Sequence, residues 1–273
     1  MPSYNLRPLK RLGQNFLIDA NIKEKIIEAI RPAADDIIVE IGPGLGALTG
    51  GLVSLSRKVI AVEKDSRLCD ALREGVGAKA KNLVLINDDI LKVDLSSLAG
   101  NEKIKLAGNL PYYITTPILE YIIENKRLIK SAVITIQREV ADRILASPGG
   151  KEYGSLSCFV QYHTRPEYLY TISRKCFKPQ PSVDSSLIRL DIPDSPAVKV
   201  RDEELYFRII RKAFNQRRKT ILNALSSRGL AGPLGTKEGL GAALSRAGID
   251  PSHRPETLSL QSFANLASCL QPD

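Results

Sequence analysis

The first two thirds of the chain alternate between short apolar runs and longer amphipathic segments. The apolar runs predict buried strands at about 37–41, 58–63, 83–86, 104–109 and 132–137. The segments between them predict helices at about 20–30, 47–55, 66–76, from 116 onward and 138–145. Strands and helices that alternate in this way are typical of an α/β fold with a doubly wound, mostly parallel sheet.

Two further strands, at about 168–172 and 186–190, are expected to form an antiparallel edge and bring the sheet to seven strands. Beyond residue 194 the pattern changes to helices joined by glycine-rich connections, at about 202–215, 217–228, 237–247 and 258–270. The sequence therefore predicts an α/β domain over residues 1–194 and a small all-helical domain over residues 195–273.

Composition narrows the classes of function. With 39 Lys and Arg against 30 Asp and Glu, the net charge of +9 suits a polyanionic partner such as nucleic acid, although solvated lysine faces give the same surplus. The four cysteines form no CxxC pair and the two histidines are far apart, so no disulfide framework and no metal site is predicted. No signal peptide and no apolar stretch long enough for a membrane helix is found. We expect a cytoplasmic protein without a membrane partner.

A glycine-rich turn, residues 42–46 (GPGLG), directly follows the strand at 37–41 and precedes a predicted helix. Glycines at this position let the backbone approach a nucleotide cofactor closely. With Ala47 included, Gly42 and Gly44 fit a dinucleotide fingerprint. With Glu40 in front, the pattern E-x-G-x-G-x-G is similar to the first motif of methyltransferases that use S-adenosylmethionine. The turn alone leaves both cofactors open.

Acidic residues end the next two strands of the predicted sheet. Glu63 can bind ribose hydroxyls with either cofactor, and Asp88 can accept a hydrogen bond from the adenine amine of the cofactor. Each of these acids alone is more often a capping or solvated residue. Acids at successive strand ends beside a glycine turn nevertheless favour a nucleotide site.

The loop Asn109-Leu110-Pro111-Tyr112 follows the strand at 104–109. The Asn109 side-chain oxygen and the Pro111 carbonyl can accept the two hydrogens of an amine, and Tyr112 can stack on a planar ring. The alternative is a simple turn fixed by Pro111. Such a clamp serves amino-methyl transfer and has no use in hydride transfer, so the loop favours S-adenosylmethionine as the cofactor.

The motifs QNFL (14–17), EIGPGLG (40–46), NLPY (109–112) and FKPQPSVDS (177–185), with Glu63 and Asp88 between them, occur in one order. In this order the chain resembles the ribosomal RNA adenine dimethyltransferases of the KsgA/RsmA type, over nearly its whole length. One departure is Asn87-Asp88-Asp89, where the family pattern has Gly-Asp-Ala.

The resemblance implies a Rossmann-like class I methyltransferase. Its cofactor would be S-adenosylmethionine, without a metal, bound by Asn15, Leu17, Glu40, Gly42, Gly44, Glu63, Asp88 and Asn109. Tyr112 and Phe177 would stack on opposite faces of the target adenine. Without the resemblance, Phe177 is better interpreted as a packing residue on a proline-rich loop. The reaction implied is dimethylation of two adjacent adenosines in the 3′-terminal hairpin of small-subunit rRNA, late in subunit assembly. The partner would be rRNA in a partly assembled small subunit, and a monomer is expected.

For RNA contact, the basic residues Arg217, Arg218 and Lys219 are the first candidates, and Lys10 and Arg11 are the second. Basic runs of this kind are more often solvated helix faces. Two rival functions stay open: a macrolide-resistance methyltransferase acting on large-subunit rRNA, and a non-catalytic assembly or transcription factor on the same fold. A DNA adenine methyltransferase agrees less well with the match across the C-terminal region.

Overall fold

The computed structural model describes residues 7–100, 102–226 and 236–270. Its nine strands in this part of the chain are β1 (Phe16–Leu17), β2 (Ile37–Ile41), β3 (Lys58–Val62), β4 (Leu83–Ile86), β5 (Ile104–Asn109), β6 (Ile129–Gln137), β7 (Arg165–Ile172), β8 (Phe177–Lys178) and β9 (Ser185–Asp191). The strands β1 and β8 form a separate antiparallel pair, and the other seven form one sheet.

The α-helices of the described residues are α1 (Ala20–Ile30), α2 (Thr49–Leu55), α3 (Ser66–Leu72), α4 (Leu95–Ala99), α5 (Thr115–Glu124), α6 (Arg138–Leu145), α7 (Ser155–His163), α8 (Glu203–Phe214), α9 (Ile221–Ser226), α10 (Lys237–Arg246) and α11 (Leu260–Cys269). Among these residues, no helix combines the length and apolarity that crossing a bilayer requires.

The seven-stranded sheet has the order β4-β3-β2-β5-β6-β9-β7. Neighbouring strands from β4 to β6 are parallel, whereas β9 is antiparallel to both β6 and β7. The predicted doubly wound sheet with an antiparallel edge is therefore confirmed. The strand order reverses between β2 and β5, and the carboxyl ends of such strands open a crevice for ligands.

Helices bury the sheet because its central strands are apolar, as the sequence predicts. All five residues of β2 are buried, as expected of a central parallel strand. One face packs on an apolar cluster that includes Ile26 and Ile30 of α1, Val133 of β6 and Leu187 of β9. The helix α1 begins where the Asp19 carboxylate caps it by accepting the Ile22 N–H at 3.0 Å.

The chain divides into two compact units, residues 1–141 with 165–192, and residues 142–164 with 193–273. The predicted domain boundary at residue 194 lies close to residue 193, where the chain enters the helical unit for the second time. Residues 142–164, which the sequence pattern grouped with the α/β domain, instead belong to the helical unit. There the aromatic rings of Phe159 and Tyr162 on α7 pack edge-on against Phe207 of α8.

Most predicted helices agree with the structure to within a few residues, with two differences. The helix predicted over 66–76 is α-helical only to Leu72 and continues as a π-turn over Arg73–Gly77, where two glycines weaken the regular helix. The helix predicted over 217–228 is α9, Ile221–Ser226, and its last two predicted residues lie outside the described part of the chain.

Candidate active site

A cavity of about 290 Å³ lies at the carboxyl ends of the parallel strands, where the strand order reverses. It is within the α/β unit. The structure brings ten of the predicted cofactor and catalytic residues to its lining: Asn15, Leu17, Glu40, Gly42, Gly44, Glu63, Asp88, Asn109, Pro111 and Tyr112. Their convergence follows from the sheet order, because strand ends that are neighbours in space carry them.

The glycine turn after β2 needs glycine for conformational reasons. Gly42 and Gly44 have positive φ angles of 64° and 58°, which side-chain-bearing residues rarely adopt. A β-carbon at position 42 would meet no atom within 4 Å, so the space beside it is open. A β-carbon at position 44 would lie 3.2 Å from the Phe16 ring. The turn thus presents bare backbone to the cavity on one side and to Phe16 on the other.

Glu40, in β2, is a buried carboxyl group at the base of the glycine turn, with 2% of its surface exposed. Thr49 Oγ1 donates a hydrogen bond to its Oε2 at 2.7 Å. Burial raises the pKa of Glu40 to about 7; the Thr49 bond opposes this rise and the nearby Glu63 charge adds to it. The group therefore exchanges its proton near neutral pH.

Glu63 follows β3 and links the glycine turn to the next loop. Its Oε2 accepts the Gly44 N–H at 3.1 Å, and its Oε1 accepts the Asp65 N–H at 2.8 Å. Burial raises the pKa of Glu63 above its usual range, against these two hydrogen bonds. Each carboxylate oxygen can accept more than one hydrogen bond, so ribose hydroxyls can still bind to it.

The departure at Asn87-Asp88-Asp89 has a structural explanation. Asp88 is exposed on the cavity lining, and its Oδ1 accepts the N–H of Asp89 at 2.7 Å. The Asp89 side chain caps the following turn by accepting the Leu91 N–H, and it pairs with Lys64 Nζ at 2.7 Å. The second acid is therefore neutralised by a lysine from the neighbouring strand end. Burial opposes this effect, but the Lys64 bond leaves the Asp89 pKa lowered.

Asn109 ends β5 and has a fixed side-chain orientation. Its Nδ2 donates a hydrogen bond at 2.9 Å to the backbone carbonyl of Asn15. A carbonyl oxygen can only accept, so the atom that faces it must be the amide nitrogen. The Oδ1 of Asn109 thus remains as the acceptor that the half-buried side chain offers at the cavity.

Pro111 and Tyr112 follow Asn109 in a tight turn. The Pro111 carbonyl accepts the Ile114 N–H at 3.2 Å and keeps a second lone pair. The Tyr112 hydroxyl is 2.7 Å from Ser185 Oγ, which anchors the half-buried ring at its polar end. Burial raises the pKa of Tyr112, and the hydroxyl is neutral at physiological pH.

The segment 9–18 crosses the cavity and is tied to it at several points. Gln14 Nε2 donates to Asp65 Oδ2 at 3.0 Å, and Gln14 Oε1 accepts the Leu9 N–H at 2.7 Å. Leu17 is buried and pairs in register with Phe177 across β1 and β8. This pairing and the Asn15 carbonyl bring the predicted residues Asn15 and Leu17 to the site.

Phe177 lies differently from what a stacking face requires. Only 4% of its surface is exposed, and it packs in the apolar cluster with Leu17, Ile172 and Leu187. It is not among the described residues that line the cavity. Its stacking on the target base therefore stays a prediction, and it requires the ring to become accessible.

The predicted RNA-contacting residues fall into two groups. In the helical unit, Arg217 uses its guanidinium to donate to the carbonyls of Lys151 and Tyr153 at 2.7 and 3.0 Å, whereas Arg218 and Lys219 are exposed. In the α/β unit, Arg11 is exposed and Lys10 lies in the turn Lys10–Leu12, with its side chain outside the described part. Arg217 thus has a structural role that its sequence did not reveal.

Sequence reasoning missed four residues of the cavity and its surroundings: Thr49, Lys64, Asp65 and Lys23. Asp65 is signalled by its place as N-cap of α3, followed by Arg67, which binds it through both guanidinium and backbone. The Arg67 hydrogen bond lowers the pKa of Asp65 to about 2. Lys23 has no such signal, since in the sequence it is one more polar position of α1.

Among the described residues, no group of His, Cys, Asp or Glu is arranged to hold a metal ion.

The chain is similar to known proteins over nearly its whole length. A family model for ribosomal RNA adenine dimethylase matches residues 6–271. The ribosomal RNA small subunit methyltransferase A of Moorella thermoacetica is 46% identical over 275 residues, covering 97% of this chain and 93% of the relative. The protein of the same name from Geobacillus thermodenitrificans is 45% identical, covering 96% and 91%.

Two solved structures are similar along the whole fold. A dimethyladenosine transferase from Plasmodium falciparum has a TM-score of 0.79 and 25% identity, covering 92% of this chain and 95% of that chain. The 23S rRNA methyltransferase ErmE has a TM-score of 0.72 and 26% identity, covering 94% and 99%. The family predicted from the motifs is thus confirmed: the chain belongs to the ribosomal RNA adenine dimethylase family.

Proposed function

We propose that the chain is an S-adenosylmethionine-dependent enzyme that dimethylates the exocyclic amines of two adjacent adenosines in the 3′-terminal hairpin of small-subunit rRNA. The observation that carries this proposal is the orientation of Asn109. Its amide nitrogen is engaged by Asn15, so an acceptor oxygen stands ready at a nucleotide-type cavity. The name of the 43–46% identical relatives, small subunit methyltransferase, supports the choice of RNA.

The residues of the cavity fit S-adenosylmethionine. Open space beside Gly42 admits a ligand against bare backbone, and Glu63 and Asp88 offer carboxylate oxygens to ribose and adenine. Asn15, Leu17 and Glu40 complete the lining. When bound, this cofactor supplies a methyl group on a sulfonium, which is strongly electrophilic. No role for a metal is included in the proposal.

Asn109, Pro111 and Tyr112 would prepare the target amine. The exocyclic nitrogen of adenine is a weak nucleophile because its lone pair is delocalised into the ring. Hydrogen bonds from its two N–H groups to Asn109 Oδ1 and the Pro111 carbonyl favour a pyramidal nitrogen with a more available lone pair. Tyr112 would stack on the ring, which is worth ~1–3 kcal/mol for one base. Positioning then supplies most of the acceleration, without a histidine base.

Recognition of the target base and of the RNA would use further residues of both units. Phe177 would form the second stacking face once its ring is accessible. The helical unit would recognise the RNA, with Arg218 and Lys219 on phosphates, and Lys10 and Arg11 would assist from the α/β unit. We propose that the enzyme acts as a monomer in the cytoplasm, on a small subunit that is partly assembled.

A large-subunit substrate is the specific alternative, since the ErmE structure shares the fold over nearly the whole chain. It is not favoured, because identity to the small-subunit enzymes is 43–46% against 26% for ErmE. A non-catalytic factor is also not favoured, because the relatives are named as methyltransferases.

The deciding experiment is a labelled-methyl assay on purified immature small and large subunits, with the modified bases identified by mass spectrometry. We expect two adjacent dimethyladenosines in the small-subunit rRNA and no label in the large-subunit rRNA. Label confined to the large subunit would favour the alternative, and no label in either would contradict the enzymatic proposal.

Asn109→Ala should abolish methyl transfer in this assay while the protein stays folded, because the substitution removes the acceptor oxygen and leaves the strand β5 intact. Asn125→Ala is a matched control, since that amide bonds within its own helix end at the Tyr121 carbonyl. Circular dichroism and thermal unfolding report the fold. Full activity of Asn109→Ala would contradict the amine clamp.

A further inference from the structure

Lys23 is an unexplained cation in the wall of the cavity. It lies at the end of the first turn of α1, is half-buried, and lines the cavity. Its ammonium makes no hydrogen bond or ion pair with any residue in the described ranges. Asp19, one helical turn before Lys23, accepts hydrogen bonds from the Ile22 N–H and the Cys176 thiol.

The other charges of the cavity make this cation distinctive. Glu40, Glu63, Asp88 and Asp89 are its acids, and the second lysine of the lining, Lys64, is paired with Asp89. Of the described lining residues, Lys23 is thus the cationic side chain that has no partner among the residues that the structure describes. A half-buried ammonium that lines a cavity can pair with an anionic group of a ligand bound there.

The position of Lys23 in the fold indicates which anionic group it would bind. Glu63 and Asp88 follow β3 and β4, on one side of the glycine turn. The helix α1 packs against β6 and α2, toward the other side. A nucleoside held by the two acids would therefore direct the remainder of the cofactor across the glycine turn toward Lys23. That remainder, the methionine part, has a carboxylate.

We infer that Lys23 is a cofactor-binding residue that pairs with the α-carboxylate of the methionine part of S-adenosylmethionine. This inference rests on the proposed function and goes beyond it in assigning the recognition of the amino-acid end. The cofactor has a sulfonium and an ammonium, which suit the acids of the cavity. Its carboxylate is the one group that these acids would repel, and Lys23 neutralises it.

Calorimetry with two probes tests the inference. S-adenosylhomocysteine contains the amino-acid part, whereas 5′-methylthioadenosine lacks it. We expect Lys23→Met to bind S-adenosylhomocysteine about fivefold more weakly, as for a partly exposed ion pair, and to bind 5′-methylthioadenosine like the wild type. Lys23→Arg should restore most of the affinity. The loss should shrink at high salt.

Lys25→Met is the matched control. Lys25 is exposed on the same helix, 5.8 Å from the centre of the Tyr170 ring, and outside the cavity lining. Its replacement should leave both affinities unchanged. Thermal unfolding of the variants shows whether α1 is intact.

Three outcomes would overturn the inference. Lys23→Met could bind S-adenosylhomocysteine like the wild type, it could lose affinity for both probes equally, or it could raise only the KM for immature subunits. The last result would assign Lys23 to an RNA phosphate. Failure of the wild type itself to bind S-adenosylhomocysteine would instead contradict the cofactor of the proposed function.

Discussion

Glu40 in the cavity lining and Asp65 next to it have pKa values that are displaced in opposite directions. They are 25 residues apart in the sequence. Glu40 is buried with one neutral hydroxyl donor, so burial dominates and its pKa rises to about 7. Asp65 is bound by the Arg67 guanidinium through both oxygens, so its pKa falls to about 2. Burial thus determines the direction for Glu40, and the charged partner determines it for Asp65.

Glu40→Gln should make the protein less sensitive to alkaline pH. The native pKa of Glu40 is raised from 4.5 to about 7, so the folded state holds this proton more tightly between these values. The free energy of unfolding therefore falls as pH rises through this window, by about 3 kcal/mol at most. We expect urea unfolding to find the variant and the wild type similar at pH 5, and the variant more stable at pH 8. Parallel changes with pH would contradict this expectation.

At this scale the sequence predicts which residues converge and misses how they are oriented. Glu40, Glu63, Asp88 and Asn109 were recognised because each ends or lies in a strand, and strand ends meet. A packing role for Phe177 is the interpretation that its sequence surroundings favour, but its partner Leu17, 160 residues away, is fixed only by the pairing of β1 with β8. The ion pair between Lys64 and Asp89 likewise joins two strand ends whose separation only the sheet fixes.

Among the elements, the segment 9–18 lines the cavity with its residues from Leu12 to Ile18. Its strand β1 pairs with β8, and the Ile18 N–H donates to the Cys176 carbonyl at 2.9 Å. Gln14 links it to Asp65 and Asn15 links it to Asn109. These hydrogen bonds hold the segment locally, and we expect it to open without global unfolding.

Gln14→Ala should loosen this segment alone. It removes the bond to Asp65 and the acceptor of the Leu9 N–H. We expect faster hydrogen exchange of backbone amides over residues 9–17, a few-fold weaker binding of S-adenosylhomocysteine, and a change in global stability of less than about 1 kcal/mol. Asn21→Ala, an exposed amide on α1, is the control. Unchanged exchange over 9–17 would show that Gln14 does not hold the segment.

Elements in which apolar residues form a clear pattern were predicted well, and elements without such a pattern were not. The apolar strands β2 and β4 agree with the predicted ranges. The helix α7 was not predicted; its last two residues, Tyr162 and His163, are buried against an aromatic partner in α8 that the sequence pattern does not reveal. The two-residue strands β1 and β8 are too short to give a period, and their hydrogen bonds come from tertiary pairing.

At the scale of the molecule, each unit has its own apolar core. The core of the helical unit contains aromatic residues of α7, α8 and α11, including Tyr162, Tyr206 and Phe263. Arg217 fastens the loop at residues 151–153 to this unit, which leaves its neighbours Arg218 and Lys219 exposed. A separate core lets the helical unit present basic residues without constraint from the chemistry of the cavity.

Arg218→Gln with Lys219→Gln should weaken RNA binding in a salt-dependent way. If each residue neutralises one phosphate, the slope of log affinity against log salt should fall by about 1.5. Filter binding of the rRNA hairpin over a range of salt measures this slope, and calorimetry with S-adenosylhomocysteine should be unchanged. The control is Lys79→Gln with Lys81→Gln, which also removes two positive charges, at exposed sites before β4. Equal slopes for both double variants would contradict a specific phosphate contact.

The bond between Asn109 and the Asn15 carbonyl has a consequence for how the chain tolerates change. The partner of the Asn109 amide is a main-chain atom, which every residue type supplies equally. Successive carbonyls of an extended segment point to opposite sides, so shortening the segment by one residue would turn the carbonyl away from the amide. The length of chain between the Gln14 anchor and β1, rather than the side chain at any one position, therefore sets the orientation of the acceptor.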